Sequence, residues 1–387
     1  MKKAWKSLDY SLMLPLIILC AIGAIMVYSA SSILVMTQYS KQQFAVNHFF
    51  YLQLRSMAIG FVALIAMYVV PISVWKKRAF SWFLMSITTV LLILVLWKGV
   101  VVNNAQSWIF GMQPAEFAKL TVILVLARFF ARKHDTNHSI VRGVGGIGVF
   151  LILVLLLIYK QPDLGMVLLI SGVILSMILC SGIRFSILIK RVALTSVIWL
   201  PLLYFAFTQK LSKVQMARIE TFLNPFADPQ KNGFQLIQSL VAIYSGGFSG
   251  VGLGNSIQKT GYLPEPHTDF IMAVISEELG FFGIAVILIA LATIVLRAFL
   301  LARKCQDPFS TLVTIGVGSM IGFQVIVNIG GITGLLPLTG VPVPFISYGG
   351  SSLLVNMASV GLLLNVSARI KEAQVSASEK PQLSVVN

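Results

Sequence analysis

Charge is what this 387-residue chain has least of: only 11% of its residues are Asp, Glu, Lys or Arg, and 57% are hydrophobic. A soluble domain carries about 25% charged residues, so an ordinary water-soluble fold is excluded. Acids are scarcest, 13 against 29 bases, which leaves a formal net charge of +16. The bases sit in short clusters between apolar runs, the pattern of topology signals and not of a nucleic-acid-binding face. Three cysteines (Cys20, Cys180, Cys305) are too scattered for a metal or redox pair, and four histidines form no ligand pair. No GxxxxGK[ST] occurs; the glycines from Gly246 to Gly254 lack the strand and helix of a phosphate-binding loop. A nucleotide cofactor and a tightly held structural metal are not expected.

Long apolar runs are what the chain has instead. They fall near 11–32, 53–71, 80–97, 114–131, 144–159, 164–181, 192–208, 281–302, 311–329 and 351–367. The expected fold is all-α and polytopic, with ten transmembrane helices, because a helix satisfies its own backbone in lipid. The first run, after Lys2, Lys3 and Lys6, is long for a signal-peptide core and reads as an uncleaved helix. With both termini cytoplasmic, 19 of the 29 bases fall on cytoplasmic segments. A single membrane domain is expected over 1–370, with a large outer loop near 209–267 and a loose polar tail over 371–387.

This topology gathers the unusual segments on the outer side. They are the loop from Val102 to Glu116, the turn Gln161–Gly165, the stretch from Lys210 to Gly283, and Gly331–Ser352. Eight of the thirteen acids belong to this half. A continuous helix from Thr268 to Arg303 would be roughly 54 Å long against about 30 Å of hydrocarbon. The expectation is therefore a short helix over Asp269–Leu279, N-capped by Thr268, with a break at Gly280 and Gly283.

Several residues are candidates for chemistry. Asp269, at a helix start, either accepts a proton from a substrate hydroxyl or only neutralises the helix end. Glu116 and Lys119, three apart, either pair with each other or mark a functional site inside a span, where Lys119 could meet a phosphate. Trp108 is an interfacial belt residue or a stacking platform for a sugar. Asp163 is a turn residue or steadies a cation. Arg218 and Lys259 either face a pyrophosphate or are solvated surface charges.

Arg218-Ile219, Phe222-Leu223-Asn224-Pro225-Phe226, GGFSGVGLGNSIQK, YLPEPHTDF, EELG and GLLPLTGVPVPFISYGGSS together resemble the SEDS family, to which FtsW and RodA belong. Gln113-Pro114-Ala115-Glu116 and Gln161-Pro162-Asp163-Leu164-Gly165 fit the same family, and MVYSASS and NNAQSW look more like FtsW than RodA. The resemblance implies a peptidoglycan glycosyltransferase in the bacterial cytoplasmic membrane that polymerises lipid II at the outer face, at the division septum. It implies Asp269 as the catalytic residue. Glu116, Lys119, Trp108, Asp163, Arg218, Lys259 and Ser351 are then the substrate-binding candidates. A divalent cation, magnesium or manganese, is a further means of offsetting charge on the leaving group. The implied partners are lipid II, undecaprenyl-pyrophosphate-linked glycan, a class B penicillin-binding protein and other divisome membrane proteins. One departure is Gln106-Ser107, where many relatives carry bases before the tryptophan; Arg55, Lys98 or Lys119 must then supply the cation. The alternatives are a lipid II flippase and an elongation-type polymerase.

Overall fold

A computed structural model describes residues 8–37, 45–102, 105–135, 141–182, 213–231 and 233–378. Its helices are α1 (Tyr10–Thr37), α2 (His48–Val69), the short α3 (Ile72–Trp75), α4 (Arg78–Lys98), α5 (Pro114–Asp135), α6 (Val141–Tyr159) and α7 (Leu164–Leu179). The polar stretch contributes α8 (Lys213–Leu223) and α9 (Phe234–Gly246), and the chain ends in α10 (Ile271–Lys304), α11 (Pro308–Ile332) and α12 (Gly350–Ser378). A small antiparallel hairpin, β1 (Val100–Val102) and β2 (Ala105–Trp108), precedes α5.

Described helices overlie nine of the ten expected spans, and the seventh, 192–208, lies outside the described residues. Six of the helices (α1, α2, α4, α10, α11 and α12) are long and apolar enough to cross a membrane. The core runs through α5, α7, α10, α11 and α12, which pack on one another and are flanked by α1, α2 and α4.

The break in α10 falls at Gly280, whose φ of 63° and ψ of −161° no interior helical residue adopts. Gly283, the other expected break, is helical. The loop after α9 replaces the hydrogen bonds lost at the kink: Val251 N donates to Glu277 O (2.9 Å), Gly252 N to Glu278 O (3.0 Å), and Phe281 N to Gly247 O (3.0 Å). The approach is so close that a Cβ on Gly280 would meet Gly250 N at 2.4 Å.

The two glutamates at the kink hold neighbouring segments in place. Glu277 accepts from Ile257 N (3.0 Å) and from Ser256 Oγ. Glu278, fully buried, accepts from Ser29 Oγ on α1 (2.8 Å) and from Lys259 Nζ (2.6 Å). A buried carboxylate without partners would cost several kcal/mol, so this ion pair fixes both the loop and α1.

At the far end of the bundle Asp9 accepts from Arg297 Nε (2.9 Å), Arg297 Nη2 (2.7 Å) and Ser367 Oγ (2.6 Å). The expected loose tail over 371–387 is corrected for residues 371–378, and the rest of it lies outside the described residues. α12 continues to Ser378, and Lys371 Nζ donates to Leu8 O at 2.7 Å.

Candidate active site

Three chain segments converge near the start of α10. The first is Leu263–Phe270. The helix begins at Ile271 with Phe270 as its N-cap, so Asp269 stands two residues before the helix and Thr268 does not cap it. The expected placement in a first helical turn is therefore corrected, and with it the idea that the helix dipole sets the carboxylate's charge. Burial does so instead. It pushes the Asp269 carboxyl up to about 7; the negative charges of Glu265 and Asp163 add to the rise, and Arg218 opposes it.

The second segment is the loop from Thr333 to Gly349. Asn328 Nδ2, near the end of α11, donates to both Asp269 O (2.9 Å) and Val341 O (2.7 Å), locking the two segments together. Tyr348 N donates to His267 O at 2.9 Å. The His267 ring lies against Phe49 (4.6 Å) and Tyr348 (5.4 Å), and burial pushes its pKa down to about 4, so it is a neutral packing residue at pH 7. Gly340 has a φ of 72°, and a Cβ there would sit 3.2 Å from Asp269 Oδ2. A side chain there would crowd the carboxylate and strain the backbone.

The third segment is the pair of helix starts at Pro114 and Leu164. Asp163 caps α7 by accepting from Met166 N (3.0 Å), and also accepts from Gln113 Nε2 (3.1 Å). Gln113 N in turn donates to Ser351 Oγ (3.0 Å), tying the start of α5 to the start of α12. Burial pushes the Asp163 carboxyl up to about 6; Glu116 raises it further, while the Met166 amide, Arg218 and Lys119 lower it.

Arg218 is thus the cation within reach of both aspartates, and its Nη1 also donates to Thr339 O at 3.5 Å. Lys119 Nζ meets Glu116 Oε2 at 2.6 Å with both side chains fully buried, so the pairing reading applies to them. Among the described residues no hydrogen bond reaches the side-chain oxygens of Asp269. The carboxylate is surrounded by protein but keeps part of its surface open, which suits a group that receives a proton.

The structure therefore brings together Asp269, Asp163, Arg218, Glu116, Lys119 and Ser351. It does not bring Lys259 to them: that ammonium is buried against Glu278 and Ser29, which corrects its reading as a pyrophosphate ligand or surface charge. Trp108 is held half-buried on β2, on the approach to α5. Sequence reasoning missed Asn328 and Gln324; the latter donates to Ser352 Oγ (3.3 Å) and Pro342 O (3.4 Å). Their signal was present, since an amide inside an apolar span is costly without a partner.

No three His, Cys, Asp or Glu side chains gather as metal ligands among the described residues. With the positive charge of Arg218 already acting on both aspartates, this donor set does not fit a firmly held divalent cation.

Residues 10–372 match the model of the FtsW, RodA and SpoVE family, described as a cell cycle protein. The chain is 41% identical to the probable peptidoglycan glycosyltransferase FtsW of Bacillus subtilis, across 98% of this chain and 96% of that one. It is 40% identical to stage V sporulation protein E of the same organism, across 93% and 96%. Among solved structures, a chain from a peptidoglycan synthase complex that coordinates polymerization and crosslinking superposes with a TM-score of 0.71 at 28% identity, across 94% and 98%. The rod shape determining protein RodA of Thermus thermophilus superposes with a TM-score of 0.63 at 25% identity, across 94% and 97%.

Proposed function

The chain belongs to the FtsW, RodA and SpoVE family, and we propose that it is a peptidoglycan glycosyltransferase that polymerises lipid II at the outer face of the cytoplasmic membrane. The observation that carries this reading is the Asp269 carboxylate: enclosed, unpaired by hydrogen bonds among the described residues, raised to about 7, and gripped through its own backbone by Asn328. A carboxylate with a pKa near the working pH is a competent general base.

In this mechanism the growing glycan, still on its lipid pyrophosphate, is the donor and lipid II is the acceptor. Asp269 takes the proton of the acceptor GlcNAc 4-hydroxyl. That oxygen bonds to the anomeric carbon of the donor MurNAc as the bond to undecaprenyl pyrophosphate breaks, inverting the centre from α to β. Arg218, beside Asp269, stabilises the negative charge of the departing pyrophosphate. The charge of Asp163 attracts Arg218 and sets the local field. Gln113, bonded to both Ser351 and Asp163, holds the starts of α5, α7 and α12 together beneath them.

The finer topology follows the charge pattern: ten spans, both termini cytoplasmic, and the Asp269 cluster outward. The high identity to proteins named FtsW favours septal wall synthesis in division over an elongation role. A class B penicillin-binding protein is the expected partner, a reading supported by the likeness to a chain of a synthase complex.

Polymerisation of purified lipid II in detergent micelles, by the protein with a partner inactive in glycan chemistry, tests this reading. Micelles have no two sides, so glycan chains formed there cannot arise from lipid transport. Consumption of lipid II into polymer is the expected result. No polymer, together with movement of labelled lipid II across proteoliposome membranes, would replace the polymerase with the flippase.

A further inference from the structure

Four residues before Asp269 stands a second carboxylate, Glu265, to which the mechanism above gives no role. The segment that carries both is anchored along one side. Leu263, Pro266, His267 and Phe270 are buried, whereas Glu265, Thr268 and Asp269 between them keep part of their surface open. Thr268 closes the turn. Its N donates to Glu265 O (3.2 Å), and its Oγ1 donates to Glu265 O (3.1 Å) and to Glu265 Oε2 (3.2 Å). The Glu265 side chain is thereby held against the residue that immediately precedes Asp269. Of the charges that act on Asp269, that of Glu265 is the strongest, ahead of Arg218 and Asp163.

This arrangement is unfavourable in two ways. Glu265 has a φ of 52°, which a residue with a side chain holds only where its surroundings impose it. Here they are Pro264 and Pro266, each with a fixed φ, and the bond from Tyr348 N to His267 O (2.9 Å). Backbone strain of this kind gathers at ligand sites. Two neighbouring carboxylates also repel each other, and among the described residues no ion pair relieves Glu265. Thr268 occupies one of its oxygens, and no hydrogen bond among the described residues reaches the other. Both carboxylates therefore have acceptor capacity to spare on the open side of one turn. A sugar ring carries hydroxyl donors on adjacent carbons, so a ring that offers one hydroxyl to Asp269 can offer the next to Glu265.

We propose that Glu265 binds the acceptor sugar: its carboxylate accepts a hydrogen bond from the 3-hydroxyl of the acceptor GlcNAc, beside the 4-hydroxyl that Asp269 deprotonates. The contact fixes the ring so that the reacting oxygen faces the base. The inference rests on the glycosyltransferase reading and adds a residue to it.

The test compares purified lipid II with lipid II that lacks the GlcNAc 3-hydroxyl. Glycan formation by the full chain with its glycan-inactive partner is followed in detergent micelles and read as kcat/KM. Wild type should use the deoxy substrate about tenfold to a hundredfold less well, the effect of losing one hydrogen bond to a charged acceptor. Glu265→Ala should lose a similar factor on lipid II and then no longer distinguish the two substrates. Should Glu265→Ala not fold, Glu265→Gln, which keeps the shape and an acceptor oxygen, carries the test with a smaller loss in the same direction. A preference for the 3-hydroxyl as large in the variants as in wild type, or no preference in wild type, overturns the inference and leaves the polymerase reading standing. No polymer from wild type overturns that reading and this inference with it.

Discussion

In the proposed mechanism Asp269 acts as a base only when ionised, and its carboxyl is pushed up to about 7. Polymerisation should therefore rise with pH through about 7 and level off above it, as read from initial rates across a buffer series. The neighbours move that inflection in opposite directions. Arg218→Gln removes a cation that favours the carboxylate and should shift the profile to higher pH, with a lower plateau. Asp163→Asn removes a negative charge and should shift it to lower pH. The same shift has a stability consequence of definite sign. A carboxyl whose pKa is raised on folding destabilises the fold as pH rises from about 4, its unfolded value, to about 7. Gly340→Ala places a methyl group 3.2 Å from Asp269 Oδ2 at a φ of 72°, and should reduce the rate without unfolding the protein. The sequence motif made Asp269 visible as the candidate base. It could not show that burial, and not a helix dipole, sets its charge, because that depends on chain segments some 60 to 100 residues away folding over it.

The kinked α10 and its neighbour α11 carry the site at the scale of elements. Gly280 and Gly283 marked a break in the sequence, and only the first of them is one, because the loop at Gly250 closes against it. Gly250→Ala would drive a Cβ to within 2.2 Å of Glu278 O at a φ of 75°. Neither the backbone it meets nor its own conformation can yield cheaply, and a loss of roughly 2–4 kcal/mol is expected, measured as a lowered thermal midpoint in detergent. Asn328→Ala strands the buried carbonyl of Val341, at a cost of about 1–3 kcal/mol, and releases the part-buried carbonyl of Asp269. Its rate should fall more than its substrate affinity, since the residue holds the base in position and does not bind lipid II. The apolar periodicity of the spans made the helices legible, but the partner of a lone amide within a span has no signature in local sequence.

Across the whole molecule, the two ends of the bundle differ in chemistry: acids and a half-buried arginine at the Asp269 end, clustered bases and the Asp9–Arg297–Ser367 contact at the other. The clustering of 19 bases on alternate loops made this polarity readable from sequence. Exposed Cys180, at the end of α7 remote from Asp163, should resist a membrane-impermeant maleimide added to intact cells, whereas Tyr244→Cys, at an exposed position on α9, should react. Labelling of Cys180 from outside would invert the topology. The central claim is that the Asp269 carboxylate performs the proton transfer of glycan polymerisation. The direct measurement is glycan formation from purified lipid II by wild type, Asp269→Ala and Asp269→Asn, each in complex with the same glycan-inactive partner. Long chains from wild type alone, with both variants folded and partner-bound, are the predicted result; equal polymer from Asp269→Asn would contradict the account.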